Sequence, residues 1–151
     1  MPRISALVAG VLLACPAAAS LGAPAPQQKS DEELLEGTWQ VTSILANGRK
    51  ETGGPERILT FKRGAITITL GSAGEVFTGK YTLNASKNPK EVDLVFDNGP
   101  DPGQAMKGIY TVTAKELTLC IGNRPRKDRP TKFESKPDSD VGLLTLQRKK
   151  P

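Results

Sequence analysis

From Gly37 onward, apolar side chains return at every second position in short runs, and the runs are broken by glycine, asparagine, aspartate or proline. A repeat of two belongs to a strand with one buried face, and it does not match the 3.6-residue repeat of an amphipathic helix. Trp39 and Val41 alternate with Thr38, Gln40 and Thr42. Ile66, Ile68 and Leu70 alternate with Thr67 and Thr69, and Val92, Leu94 and Phe96 with Glu91, Asp93 and Val95. Further runs are Ile58 to Lys62, Val76 to Leu83, Met106 to Thr113, Glu116 to Ile121, a short one at Phe133, and Val141 to Gln147. Most links between them are short turns such as Asn47-Gly48 and Arg63-Gly64, which suit antiparallel hairpins. No second helical pattern supplies the crossovers of a parallel sheet. Gly79 shares a face with Phe77 and Tyr81, which marks a bend or a close backbone approach.

The chain is therefore expected to be all-β. A flat antiparallel meander of about eight or nine strands would leave two long unpaired edges, and closing it removes them. An up-and-down barrel is the expectation and a two-sheet sandwich the alternative, although sandwiches need longer crossing links than most of these. One short helix is expected ahead of the first strand. Ser30-Asp31-Glu32-Glu33 is a capping box, three acidic residues suit the positive helix end, and Gly37 can end the helix. A helix this short does not persist alone, so it should lie against one end of the barrel.

Residues 1–19 read as an export signal. Arg3 precedes the unbroken apolar run Ile4 to Ala14, and the small residues Ala17-Ala18-Ala19 follow. A bilayer span needs ~20 apolar residues, more than this run supplies. Leu12-Leu13-Ala14-Cys15 also resembles a lipoprotein box, in which the signal ends before Cys15 and the lipidated cysteine tethers the domain to a membrane. Both readings stay open, and both place the protein in the periplasm, the cell envelope or the medium. Residues 20–29, rich in proline, alanine and glutamine, form a spacer, and residues 30–150 form the barrel domain.

Several chemistries drop out. The chain has no histidine, which removes Ser-His-Asp and Cys-His catalysis as usually built, the ordinary zinc ligand sets, and a histidine-held haem. No cofactor is expected. Cys120 is the one thiol beyond the leader, so no internal disulfide is expected and the side chain reads as packing. The net charge of +5 includes Arg3. Charge and aromatics follow no nucleic-acid-binding pattern, so no nucleic acid partner is expected. Asp93 and Asp97 are the carboxylates best placed for acid–base work, and they read as solvated strand charges. Asp97-Asn98-Gly99-Pro100-Asp101 reads as a turn rather than a calcium loop, since it lacks the ligand spacing of one.

Two candidate surfaces remain. Trp39, Phe61, Ile68, Phe77, Tyr81, Phe96 and Tyr110 face inward and could line a cup for an apolar ligand; the alternative is that they fill a small barrel. Arg124, Arg126, Lys127 and Arg129 crowd one loop that could meet an anion or an acidic partner; the alternative is a solvated loop.

Gly37-Thr38-Trp39 behind a short helix resembles the opening of lipocalins. The resemblance implies that the helix closes the barrel, that Trp39 packs near its base, and that a late basic side chain, here Arg148, covers the indole. More narrowly, the chain resembles a group of exported domains of unknown function abundant in planctomycete bacteria. It does so through Gly79-Lys80-Tyr81, Asn88-Pro89-Lys90, Gly108-Ile109-Tyr110 and Arg129-Pro130-Thr131-Lys132-Phe133. That resemblance implies a lipocalin-like barrel and brings no activity with it. The function expected is a non-enzymatic cell-envelope binding module for a small apolar ligand or a partner. The alternative is a solid-core structural or interaction domain, an envelope component or inhibitor; a carboxylate hydrolase is more remote.

Overall fold

Hairpins dominate because the turn residues permit them. Asn47 and Gly48, and likewise Arg63 and Gly64, all take positive φ, the backbone of the two-residue turns whose twist matches paired strands. In the computed structural model, which describes residues 22–125 and 128–151, a helical segment α1 (Asp31–Leu35) precedes nine strands. These are β1 (Gly37–Ala46), β2 (Arg49–Lys50), β3 (Arg57–Lys62), β4 (Ala65–Leu70), β5 (Glu75–Asn84), β6 (Glu91–Phe96), β7 (Ala105–Val112), β8 (Glu116–Gly122) and β9 (Val141–Arg148). The sheet order is β2-β1-β3-β4-β5-β6-β7-β8-β9, and β1 also pairs with β9. That last pairing closes an antiparallel up-and-down barrel, with β2 as an extra strand in a hairpin with β1. The sandwich alternative falls with it.

Closure runs from Trp39 opposite Arg148 to Ala46 opposite Gly142, with one irregularity between Val41 and Ser43. There the Thr42 hydroxyl donates to the Thr145 carbonyl at 3.1 Å. A bulge of this kind adds twist where a sheet must curl onto itself. A second bend lies in β5. Its first half pairs with β4 through Lys80, and its second half pairs with β6 from Gly79 onward. A Cβ on Gly79 would sit 2.2 Å from the Val95 carbonyl oxygen, so only glycine lets the two backbones approach here.

Alternation sends one face of every strand except β2 inward. The main core holds Leu35, Trp39, Phe61, Ile66, Tyr110, Leu117 and Leu146, all almost wholly buried. Each such side chain contributes about 1.5–3 kcal/mol relative to exposure. A second, smaller cluster lies on the outer wall. Ile109 and Cys120 are cross-strand partners, and they pack with Val141 and Leu143. They are buried because the segment from Asp128 to Asp140 straps across them. The Cys120 thiol donates to the carbonyls of Lys132 and Glu134, and Ser135 Oγ donates to the Val141 carbonyl at 2.7 Å.

Most strand bounds match the alternating runs to within a residue or two. Phe133 is a correction: it belongs to the strap, not to a strand, and is 37% exposed. The pair Arg49–Lys50 carries no apolar alternation, because both side chains are exposed, and its pairing rests on backbone bonds alone. Among the described residues no helix is long and apolar enough to cross a membrane. The export signal and Cys15 lie outside the described residues.

Candidate functional site

The two ends of the barrel differ. At one end the chain enters through α1, where Ser30 and Glu33 form the capping box. The Asp31 carboxylate accepts from Lys90 Nζ at 2.7 and 3.0 Å and from the Tyr110 hydroxyl at 2.8 Å. This ties the helix to β7. Burial, and then the bond to Asp31, pushes the Tyr110 phenol above its ordinary range. Leu35 beneath the helix is 1% exposed and Trp39 is fully buried, with the indole N–H donating to the Leu35 carbonyl at 2.8 Å. Phe61 meets Tyr81 edge to face, with ring centroids 5.2 Å apart. Arg148 seals this end. Its guanidinium carbon lies 4.3 Å from the Trp39 ring centroid, and its nitrogens donate to the carbonyls of Leu34, Glu36 and Ala114.

The opposite end is lined differently. Leu59 of β3, Ile68 and Leu70 of β4, Phe77 of β5, Leu94 and Phe96 of β6, Met106 of β7, Leu119 and Ile121 of β8 and Leu144 of β9 enclose a hollow of about 230 Å³. An adjoining hollow of about 240 Å³ shares Ile68, Phe77, Phe96 and Met106 and reaches a rim of Asn98, Pro100, Asp101 and Asn123. Side-chain size explains the asymmetry. A tryptophan, a phenylalanine and two tyrosines crowd the sealed end, whereas leucine, isoleucine and methionine dominate the open one and leave space.

Asn98 shapes the rim. Its side-chain oxygen accepts from the Thr78 N–H at 2.9 Å and its amide donates to the Val76 carbonyl at 2.8 Å. The amide thus extends the β5 ladder past the end of β6, which is what this turn residue does in the structure. One charged side chain, Arg57, lines the cup among the described residues. Its Nη2 lies 3.1 Å from Glu51 Oε2.

The inward-facing residues named from the sequence divide between the two ends. Ile68, Phe77 and Phe96 line the cup. Trp39, Phe61, Tyr81 and Tyr110 belong to the sealed core. The cup also takes in Leu59, Leu70, Met106, Ile121, Leu144 and Arg57, which the sequence does not mark. Counting positions along each strand from the Trp39 end would have separated the two sets.

The basic loop also divides. Arg129 Nη1 donates to the carbonyls of Val92 at 2.9 Å and Gly108 at 2.8 Å, so its 2.8 Å approach to Asp93 Oδ1 is an ion pair without a hydrogen bond of its own. Glu91 lies 3.6 Å from Arg129 Nε. Arg129 is therefore an anchor of the strap rather than a free cation, and Asp93, a part-exposed strand carboxylate, is its counter-charge. Arg124 is exposed. Arg126 and Lys127 lie outside the described residues. Burial pushes the Cys120 thiol above its ordinary pKa, which keeps it protonated and unreactive at neutral pH.

Among solved structures, the chain is similar to a lipocalin-like protein from Bacteroides uniformis ATCC 8492, with a TM-score of 0.51 and 14% identity, covering 76% of this chain and 98% of that one. It is also similar to an uncharacterized protein from Bacteroides eggerthii DSM 20697, with a TM-score of 0.50 and 14% identity over 76% of this chain and 99% of that one. These likenesses define the fold as lipocalin-like. No family model matches the chain, and no curated protein does. The narrower resemblance to planctomycete domains finds no support in these comparisons.

Proposed function

We propose that this protein is a non-catalytic binding module that takes a small apolar ligand through the open end of its barrel. The observation that carries the reading is the cup itself: ten apolar side chains from seven strands surround space, while the other end is sealed by Arg148 over Trp39. Drug-sized sites span about 300–1,000 Å³, so hollows of this size suit a small ligand. The same modest size favours the second reading, a solid-core interaction domain. The apolar run Ile4 to Ala14 behind Arg3 supports placement in the cell envelope, free or tethered at Cys15.

The test uses the neutral dye N-phenylnaphthylamine, which brightens in dry apolar sites. Wild-type protein should bind it saturably, one dye per chain. Leu144→Trp, which fills the cup, should abolish binding while the thermal unfolding transition persists. A wild-type protein that leaves the dye dark, or a folded Leu144→Trp variant that still binds it, overturns the reading and favours the solid core.

A further inference from the structure

The barrel wall is split beside the cup. Strands β1 and β3 pair only as far as Gln40 opposite Ile58. Beyond that point β1 runs on to Ala46, while the chain before Arg57 swings away. Between them lies a cleft of about 390 Å³ lined by Gln40 to Ile44, Glu51 and residues 53–57. Polar side chains bridge it. Gln40 Nε2 donates to Glu56 Oε1 at 2.9 Å, and Arg57 pairs with Glu51. Arg57 lines both the cleft and the cup. A single guanidinium thus stands where polar space meets an otherwise apolar wall.

We propose that the ligand is a carboxylate-bearing amphiphile, with its tail in the cup and its acid on Arg57 in this lateral cleft. The inference rests on the cup reading and adds the headgroup to it. Glu51 already places a carboxylate on Arg57, which shows the chemistry that the guanidinium accepts there. The Arg57 and Glu51 side chains are 32% and 42% exposed. Ion pairs so open to water are weakly held, so a ligand acid can take the place of Glu51. Glu51 sits on the segment that carries Gly53-Gly54-Pro55, where two residues have no side chain to obstruct the cleft. Arginine meets carboxylates through a planar fork of donors, and a lysine in its place offers only a point charge.

Calorimetric titration with octanoate and with octanol, which share a tail and differ in charge, tests this. Wild type should bind octanoate more tightly than octanol, and added salt should narrow the difference. Arg57→Gln should weaken octanoate about tenfold, the loss expected of one charge-assisted contact, and octanol far less. Arg57→Lys should keep part of the preference, and Glu51→Gln should enhance it by removing the competitor. If wild type and a folded Arg57→Gln protein bind both probes equally, the headgroup inference falls and the cup reading stands. If neither probe nor the neutral dye binds wild type, both fall.

Discussion

Gly37 and Arg148 account for each other. Gly37 has φ +123°, and a Cβ there would lie 2.5 Å from Arg148 Nη1. The glycine opens the path by which the guanidinium reaches the carbonyls of α1 and covers Trp39. Arg148→Met keeps an apolar stem over the indole but leaves those carbonyls without donors. It should lower stability by about 2–3 kcal/mol, from lost hydrogen bonds and cation–π contact. Arg148→Lys should recover less than half of that, because an ammonium cannot reach several carbonyls at once. Urea unfolding curves measure both; equal stability of wild type and Arg148→Met would remove this seal from the account. This site was legible only through the resemblance of Gly37-Thr38-Trp39 to the opening of lipocalins, which implies a late basic side chain over the indole. Arg129 was not legible. Its acceptors on Val92 and Gly108 are backbone carbonyls, and backbone atoms leave no trace in residue type.

Among the elements, the strands were legible and the strap was not. Alternation is a local signal, and most strands meet their neighbour across a short link, β8 and β9 being joined instead by the strap. The strap from Asp128 to Asp140 shows no alternation, and its charges suggest solvation. What holds it is distant along the chain: Asp140 N–H donates to Asn47 Oδ1 at 3.1 Å, and Arg129 pairs with Glu91 and Asp93. Cys120, fully buried under it, reports whether the strap is down. A thiol reagent at neutral pH should label wild type slowly, and Arg129→Leu should accelerate labelling at least about tenfold by making local opening easier. Rapid labelling of wild type would show that the strap does not cover the thiol. Trp39 fluorescence separates this local opening from global unfolding.

At the scale of the whole molecule, stability should be flat near neutrality and fall on both flanks. With no histidine in the chain, no side chain with an ordinary pKa titrates between about pH 5 and 8. On the alkaline side, Cys120, Tyr81 and Tyr110 are all raised by burial. The unfolded chain therefore releases those protons first, and stability is lost as pH rises above the ordinary thiol value of 9.0. On the acid side, the Ser30 backbone N–H and hydroxyl hold Glu33 below its ordinary value of 4.5. Its contribution is present above that pH and fades as pH drops through the lowered value. Denaturant midpoints between pH 3 and 11 check the shape; a transition near pH 6.5 would contradict it. Closure itself was legible, since an open meander would strand two edges. The space inside was not, because alternation says which residues face inward and says nothing about whether they meet.

The seal at Trp39 and the hollow beside Ile68 share one cylinder and one core. Ile68 and Met106 pack against the core that holds the indole, so exchanges there reshape the hollow and reach the frame together.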